Sequence, residues 1–170
     1  MRHQSYLIII FLILVCLVIL ITPAYASEEL NDNEYTERKC LVEAIYFEGR
    51  SEELIAQLAI ANVILERVKL PNYPDTVCKV VRQGRYYKGN PIRNKCAFSY
   101  WCDGKSERMY NYQAKEIAIK VAAMAMNGIL VEITLEATHY HTRAVNPYWA
   151  RHDKLMYLGS LGSHLFYIEN

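Results

Sequence analysis

The chain has 170 residues, 52% of them apolar, with 19 basic against 18 acidic side chains and a formal charge of +1. That balance argues against a nucleic-acid binder, which normally carries a basic excess or stripe, and the length suits one compact domain. Fourteen tyrosines and two tryptophans are many for this size; aromatic rings with a polar edge line carbohydrate clefts as well as packing into cores.

Arg2 and His3 precede an uninterrupted apolar run from Leu7 to Ile21, and Ala24-Tyr25-Ala26 offers small residues for cleavage. Residues 1–26 therefore read as an export signal, which places the protein in the periplasm, the cell wall or the medium. The run is shorter than the roughly 20 residues of a membrane span. An uncleaved anchor is the alternative, and the signal is the one expected route to a membrane. Cys16 would leave with it, and the rest of the chain is then formally neutral. Residues 27–39 are polar and acidic and read as a loose leader to a domain over 40–170.

From Cys40 the pattern turns helical: Leu41, Ala44 and Ile45 lie on one stripe, and the next position on it is Glu48. A second helix is expected from Glu53 to Val68, with Leu54, Leu58, Ala61, Leu65 and Val68 facing inward; Pro71 and Pro74 stop it. Residues 84–106, rich in Gly, Pro, Asn and basic groups, read as an irregular loop. A third helix fits Tyr112 to Asn127, with Ala114, Ile117, Ala118, Val121 and Ala125 inward and Gly128 as its cap. Thr138, Tyr140 and Thr142 then alternate with His139 and His141 at the period of a strand, and Leu165 to Ile168 forms another. Helices first and short strands late imply an α+β class: a mainly helical single domain with a small C-terminal antiparallel hairpin or sheet.

Four cysteines follow the signal: Cys40, Cys78, Cys96 and Cys102. In an oxidising compartment they suggest two disulfides with three possible connectivities. The close Cys96 and Cys102 suit a clip across the loop between them, leaving Cys40 for Cys78. A zinc reading of the cysteines is weaker, because no Cys-x-x-Cys pair exists.

Glu48 is the chief chemical candidate. A carboxylate on the apolar stripe of a helix loses hydration when that face packs, and its pKa rises. A carboxyl still protonated near neutral pH is what a general acid requires. The competing reading is a buried glutamate paired with an arginine or held by hydrogen bonds.

The stretch Cys40-Leu-Val-Glu-Ala-Ile-Tyr-Phe-Glu-Gly-Arg-Ser-Glu52, with Gln57 and Ala61-Asn-Val-Ile-Leu-Glu-Arg-Val68, resembles the bacterial cell wall hydrolase family that includes the spore cortex-lytic enzymes. The likeness continues through Tyr73-Pro-Asp-Thr-Val-Cys78, Cys96-Ala-Phe-Ser-Tyr-Trp-Cys-Asp-Gly104 and Ala137-Thr-His-Tyr-His141. It closes with Pro147-Tyr-Trp-Ala150 and Gly162-Ser-His-Leu-Phe-Tyr167. The resemblance implies a lysozyme-like domain that cleaves peptidoglycan glycan strands between N-acetylmuramic acid and N-acetylglucosamine. It places the catalytic acid on Glu48 and the later glutamate of the motif on Glu52, one helical turn away. It puts Phe98, Ser99, Asp103 and Gly104 in a loop bordering the cleft, and Tyr140 and His141 along the groove. Gln57 and Asn62 are candidates for amide contacts to the sugars. The sequence departs from the family at Gly49, Ser51 and Ala56, and at Glu66, which stands where an Asn is usual. A second carboxylate reaching the cleft there would raise the pKa of Glu48 further.

Members of that family are thought to act as lytic transglycosylases with one essential glutamate, a mechanism that needs neither metal nor nucleotide, and the protein itself is expected to be a monomer. Ordinary glycosidases use a second carboxylate, for which Glu52, Glu66 and Asp103 are candidates; Arg50 and Arg67 would neutralise nearby acids. Two other functions compete. One is a catalytically silent wall-binding or lysis-accessory protein. The other is a zinc amidase holding its metal with His139, His141 and His164. Against it stands a packed aromatic hairpin around Tyr140 and Phe166, in which the histidines are structural or line the cleft, and Trp149 is expected to pack rather than bind sugar.

Overall fold

A computed structural model describes residues 31–151 and 154–169; the export signal and residues 27–30 lie outside the described residues. The described chain folds as four helices, a two-stranded hairpin and a three-stranded sheet. Helix α1 runs Asp32–Gly49, α2 Leu54–Lys69, α3 Val77–Val81 and α4 Tyr112–Met126. Strands β1 (Gly84–Tyr87) and β2 (Asn90–Cys96) pair antiparallel, and β3 (His139–Thr142), β4 (Leu155–Leu161) and β5 (His164–Glu169) form an antiparallel sheet ordered β3-β5-β4. No helix among the described residues is long and apolar enough to cross a membrane.

Helix α1 starts well before Cys40, so residues 32–39 are helical rather than a loose leader. The Asn31 side chain accepts from the Glu34 amide, capping the first turn, and the Cys40–Cys78 disulfide staples the helix to α3. The Glu37 carboxylate also accepts from the Cys78 amide at 3.3 Å.

Helix α2 forms the centre. Residues 56–64 are buried without interruption, so the helix is covered on every side and has no single inner stripe. Leu58, Ile60 and Ile64 meet α1, α3 and α4 in one cluster, while Ala59 and Val63 meet Ala137 and Phe166 of the sheet side in another. Leu54, expected inward, is 44% exposed at the start of α2, where that cover has not begun, and Ile117 of α4 is likewise exposed. Gly128 takes φ +81 just past α4, a left-handed conformation that suits its place as a cap.

The segment 84–106 is not an irregular loop. The β1–β2 hairpin turns at Lys88-Gly89, both at positive φ, which matches the twist of a two-residue hairpin turn. A 3₁₀ turn over Ser99–Cys102 follows, clipped to β2 by the Cys96–Cys102 disulfide. Both disulfides are those that the cysteine spacing favours.

Candidate active site

The α1 stripe delivers Glu48. Leu41, Ala44 and Ile45 are fully buried, and the same face carries Glu48 into a cavity of about 330 Å³. Helix α1 then stops at Gly49, where an added Cβ would lie 2.9 Å from the Ile60 side chain on α2. This close approach packs the end of α1 directly against α2.

The opposite walls come from distant parts of the chain. Arg67 enters from α2, Phe98 and Ser99 from the segment after β2, Tyr140 and His141 from β3, and His164 from β5. Four of the residues expected to bind substrate, Phe98, Ser99, Tyr140 and His141, thus meet Glu48 around one space. Ser99 also lines an adjoining cavity of about 530 Å³, bordered by Phe47, Arg50, Asp103 and Arg108. The two cavities share Ser99 as a wall and so form adjoining lobes.

Burial raises Glu48 and the nearby Arg67 cation partly offsets it, leaving the carboxyl at about 7. No hydrogen bond or ion pair to Glu48 occurs among the described residues, so its acid group is presented to the cavity. The Tyr140 hydroxyl is buried without a hydrogen-bond partner among the described residues. Burial, reinforced by the Glu48 charge, holds its pKa well above the usual phenol value, so it is a neutral donor on the same cavity.

Arg67 is buried, and its Nε donates to the Thr138 carbonyl at 2.7 Å. Its guanidinium lies 5.3 Å from the Tyr73 ring and 5.6 Å from the Phe98 ring. A cation fixed by these three groups tunes Glu48 without closing on it.

Glu52 and Gln57, expected at the sugar, do not join this lining. Glu52 lies beyond the end of α1, so the two glutamates do not share a helical face. Its carboxylate accepts from the Ser163 amide at 3.0 Å and from the Ser163 hydroxyl, with His164 Nδ1 at 3.9 Å. Burial pushes Glu52 up, but the Ser163 hydrogen bonds outweigh it and hold the carboxyl low. Glycine alone suits the neighbouring Gly162, which has φ +57, and a Cβ there would run into the same carboxylate. Gln57 is buried, and its Nε2 donates to the Glu52 carbonyl at 3.0 Å. Asn62 is buried too; its side chain donates to the Ile129 carbonyl and accepts from the Val131 amide, pinning the segment after α4.

The remaining carboxylates also lie off the cavity. Glu66 pairs with Lys69 at 2.9 Å, and Asp103 accepts from the Lys105 amide at 2.7 Å in its turn. Among the described residues Glu48 is the only carboxylate lining the cavity.

The three histidines do not converge. His141 stacks on Tyr167 at 5.4 Å and its Nε2 lies 2.9 Å from the Tyr167 hydroxyl. His139 packs on Trp149 and Tyr73, and burial pushes its pKa down to about 4. His164 sits at β5 against Tyr140 and Phe166, paired across the sheet with Thr142 rather than with either histidine. No cluster of three metal-ligating side chains occurs among the described residues.

The sequence reading offered Arg67 only as a neutraliser of nearby acids and did not place it in the cavity wall, whereas His164 lines the cavity as one of its readings had it. An arginine in the last turn of a mainly apolar helix was the available signal for Arg67.

The chain matches the Cell Wall Hydrolase family over residues 51–167, a span that opens just after Glu48. Its structure is similar to the catalytic domain of the germination-specific lytic transglycosylase SleB from Bacillus anthracis. The two share 25% identity at a TM-score of 0.60, over 83% of this chain and 98% of that one. The catalytic domain of the Bacillus cereus SleB protein gives a TM-score of 0.57 at 23% identity, over 85% of this chain and 98% of that one, a likeness of fold. No curated protein matches the chain significantly. A helical body with a small antiparallel sheet, a cleft between them and a family match over most of the domain lead to one conclusion: the chain belongs to the cell wall hydrolase family, with a lysozyme-like α+β fold.

Proposed function

We propose that the protein is an exported peptidoglycan lytic transglycosylase in which Glu48 serves as both acid and base. The observation that carries this reading is the lone carboxylate of the cavity. A two-carboxylate glycosidase needs its partner about 5 to 10 Å away across the sugar. Glu52 is held by Ser163, Glu66 by Lys69, and Asp103 lines the adjoining lobe rather than the Glu48 cavity, its carboxylate accepting from the Lys105 amide.

In the proposed reaction Glu48 donates its proton to the oxygen bridging N-acetylmuramic acid and N-acetylglucosamine. The bond from the muramic C1 to that oxygen breaks through an oxocarbenium-like state. The muramic 6-hydroxyl then attacks C1, its proton passes to Glu48, and a 1,6-anhydro sugar leaves with the acid regenerated. No water is consumed. A carboxyl near 7 suits both halves, because it can give and retake a proton at neutral pH. The Tyr140 hydroxyl and Ser99 border the reacting sugar, and Arg67 keeps the Glu48 pKa from rising further.

Residues 1–26 serve as the export signal in this proposal and bring the domain to its substrate. The fold functions as a monomer on glycan strands. Glu66 pairs with Lys69 at 2.9 Å and does not line the cavity, so it adds no second charge beside Glu48.

The test is mass spectrometry of the soluble products released from peptidoglycan by the purified protein and by Glu48→Gln. Anhydro-muramic ends from the wild type alone are expected. Reducing ends carrying one added water would replace this reading with hydrolysis, and equal inertness of both proteins would favour a binding protein.

A further inference from the structure

The near-neutral charge of the chain conceals a strong local asymmetry. From Thr76 to Cys102 the sequence holds six basic residues and no acidic one. Folding places Arg82, Arg85, Lys88, Arg93 and Lys95 on the exposed surface of the β1–β2 hairpin or at its entry. None of these five forms an ion pair among the described residues. Arg82 lies over the Trp101 ring at 4.6 Å and Arg93 donates to the Asp103 carbonyl at 3.1 Å. Lys88 lies at 5.5 Å over the ring of Tyr87, itself 67% exposed, and Arg85 and Lys95 are exposed cations.

The tip adds a second observation. Lys88 takes φ 48 in the two-residue turn, a position where Asn, Asp or Gly is usual and other side chains cost conformational energy. The fold therefore holds a cation at the apex where an easier residue would serve the turn alone.

The hairpin also adjoins the two cavities, although none of its residues lines either. Strand β2 runs directly into Ala97, Phe98 and Ser99 of the Glu48 cavity, and Arg93 grips Asp103, which borders the adjoining lobe. A polymer lying in the second lobe passes Asp103, the residue that the hairpin holds through Arg93. The sugar backbone of peptidoglycan is uncharged; its acid lies in the carboxylates of the peptide stems carried by every second sugar.

We infer that the β1–β2 hairpin is an electrostatic dock for the carboxylates of peptide stems, so that the enzyme prefers peptide-bearing over peptide-stripped glycan. This rests on the peptidoglycan reading above and names the form of substrate it takes. Repeated stems along a strand let several weak exposed contacts act together.

The test uses the exported full-chain product, its R85Q/K88Q/K95Q variant and the charge-preserving K88R/K95R variant. Binding is measured by co-sedimentation with intact sacculi, with amidase-stripped glycan and with anionic phospholipid vesicles. The triple variant is expected to bind sacculi about tenfold more weakly at low salt, a gap that closes toward about 0.5 M salt. Its binding and turnover on stripped glycan should equal the wild type, and K88R/K95R should bind sacculi normally. Unchanged binding to sacculi would overturn the inference, as would an equal loss on stripped glycan. Charge-dependent binding to vesicles without any loss on sacculi would replace it with a membrane contact. If neither protein cleaves any substrate, the glycosidase reading fails while the sedimentation result still decides this one.

Discussion

Arg67 and Glu48 line one cavity without forming an ion pair, because the Thr138 carbonyl and the faces of Tyr73 and Phe98 hold the guanidinium back. The arginine moderates the acid through space while leaving its proton available to a ligand. Removing the cation should therefore let burial act unopposed. In Arg67→Met the alkaline limb of the pH–rate profile should move to higher pH, because the cation lowers the Glu48 pKa. The same variant should melt earlier, since the buried Thr138 carbonyl loses its partner at a cost of about 1–3 kcal/mol. A pH profile of kcat/KM identical to the wild type would show that Arg67 does not tune Glu48.

Glu48→Gln should lose activity by about 10²–10⁴-fold, the usual contribution of a positioned general acid and base. Its stability should change in the opposite sense. The folded carboxyl near 7 lies above its ordinary value of 4.5, so the folded state binds more protons than the unfolded chain between those values. Wild-type stability therefore falls as pH rises from about 4.5 to about 7 and stays lowered above it. The glutamine variant escapes that fall and should be more stable at pH 8 by up to about 3 kcal/mol. Thermal denaturation of both proteins at pH 4 and pH 8 (roughly the two ends of that window) checks the sign; equal gaps at both pH values would refute the burial argument.

Glu52 should report on stability before chemistry. Its carboxyl is held low by Ser163, so its contribution is full above the ordinary 4.5 and is lost as pH falls through the lower folded value. Glu52→Gln should cost about 1–3 kcal/mol at neutral pH by weakening the hold on the β4–β5 turn, and much less in acid. Gly162→Ala should produce a comparable loss through the same carboxylate and a strained φ. Urea denaturation at neutral and acidic pH measures both. A Glu52→Gln protein with wild-type stability but no activity would instead place Glu52 in the chemistry.

The Cys40–Cys78 disulfide closes 38 residues of chain and joins α1 to α3. Loop-closure entropy assigns such a crosslink about 4 kcal/mol. Cys40→Ala/Cys78→Ala should lower the melting temperature more than the Cys96→Ala/Cys102→Ala pair, whose loop is shorter. A larger loss from the second pair would show that the 3₁₀ turn, rather than the helical body, limits stability.

Some of this was written locally along the chain. The stripe Leu41, Ala44, Ile45 and Glu48 needs only helical periodicity to set a carboxylate on a buried face, and the order of motif blocks led to the family. The spacing of Cys96 and Cys102 favoured a clip, and alternation marked β3 as a strand. The acid-free run from Thr76 to Cys102 was equally visible in the sequence, yet whole-chain neutrality hid it, because a net charge averages over surfaces that never meet a ligand together.

Other features depended on contacts between residues far apart in sequence. Glu52 and Glu48 look like a pair four residues apart, but α1 ends at Gly49 against Ile60, and Ser163 claims the second carboxylate from more than a hundred residues away. Arg67 reads in the sequence as a neutraliser of nearby acids, and only β3, by supplying Thr138, fixes it in the wall of the Glu48 cavity. Helix α2 has no single inner face because neighbours cover it all round, which periodicity cannot register. Local pattern determines which side chain leaves water; tertiary packing decides what it meets there, and that partner sets whether a glutamate is an acid or an anchor.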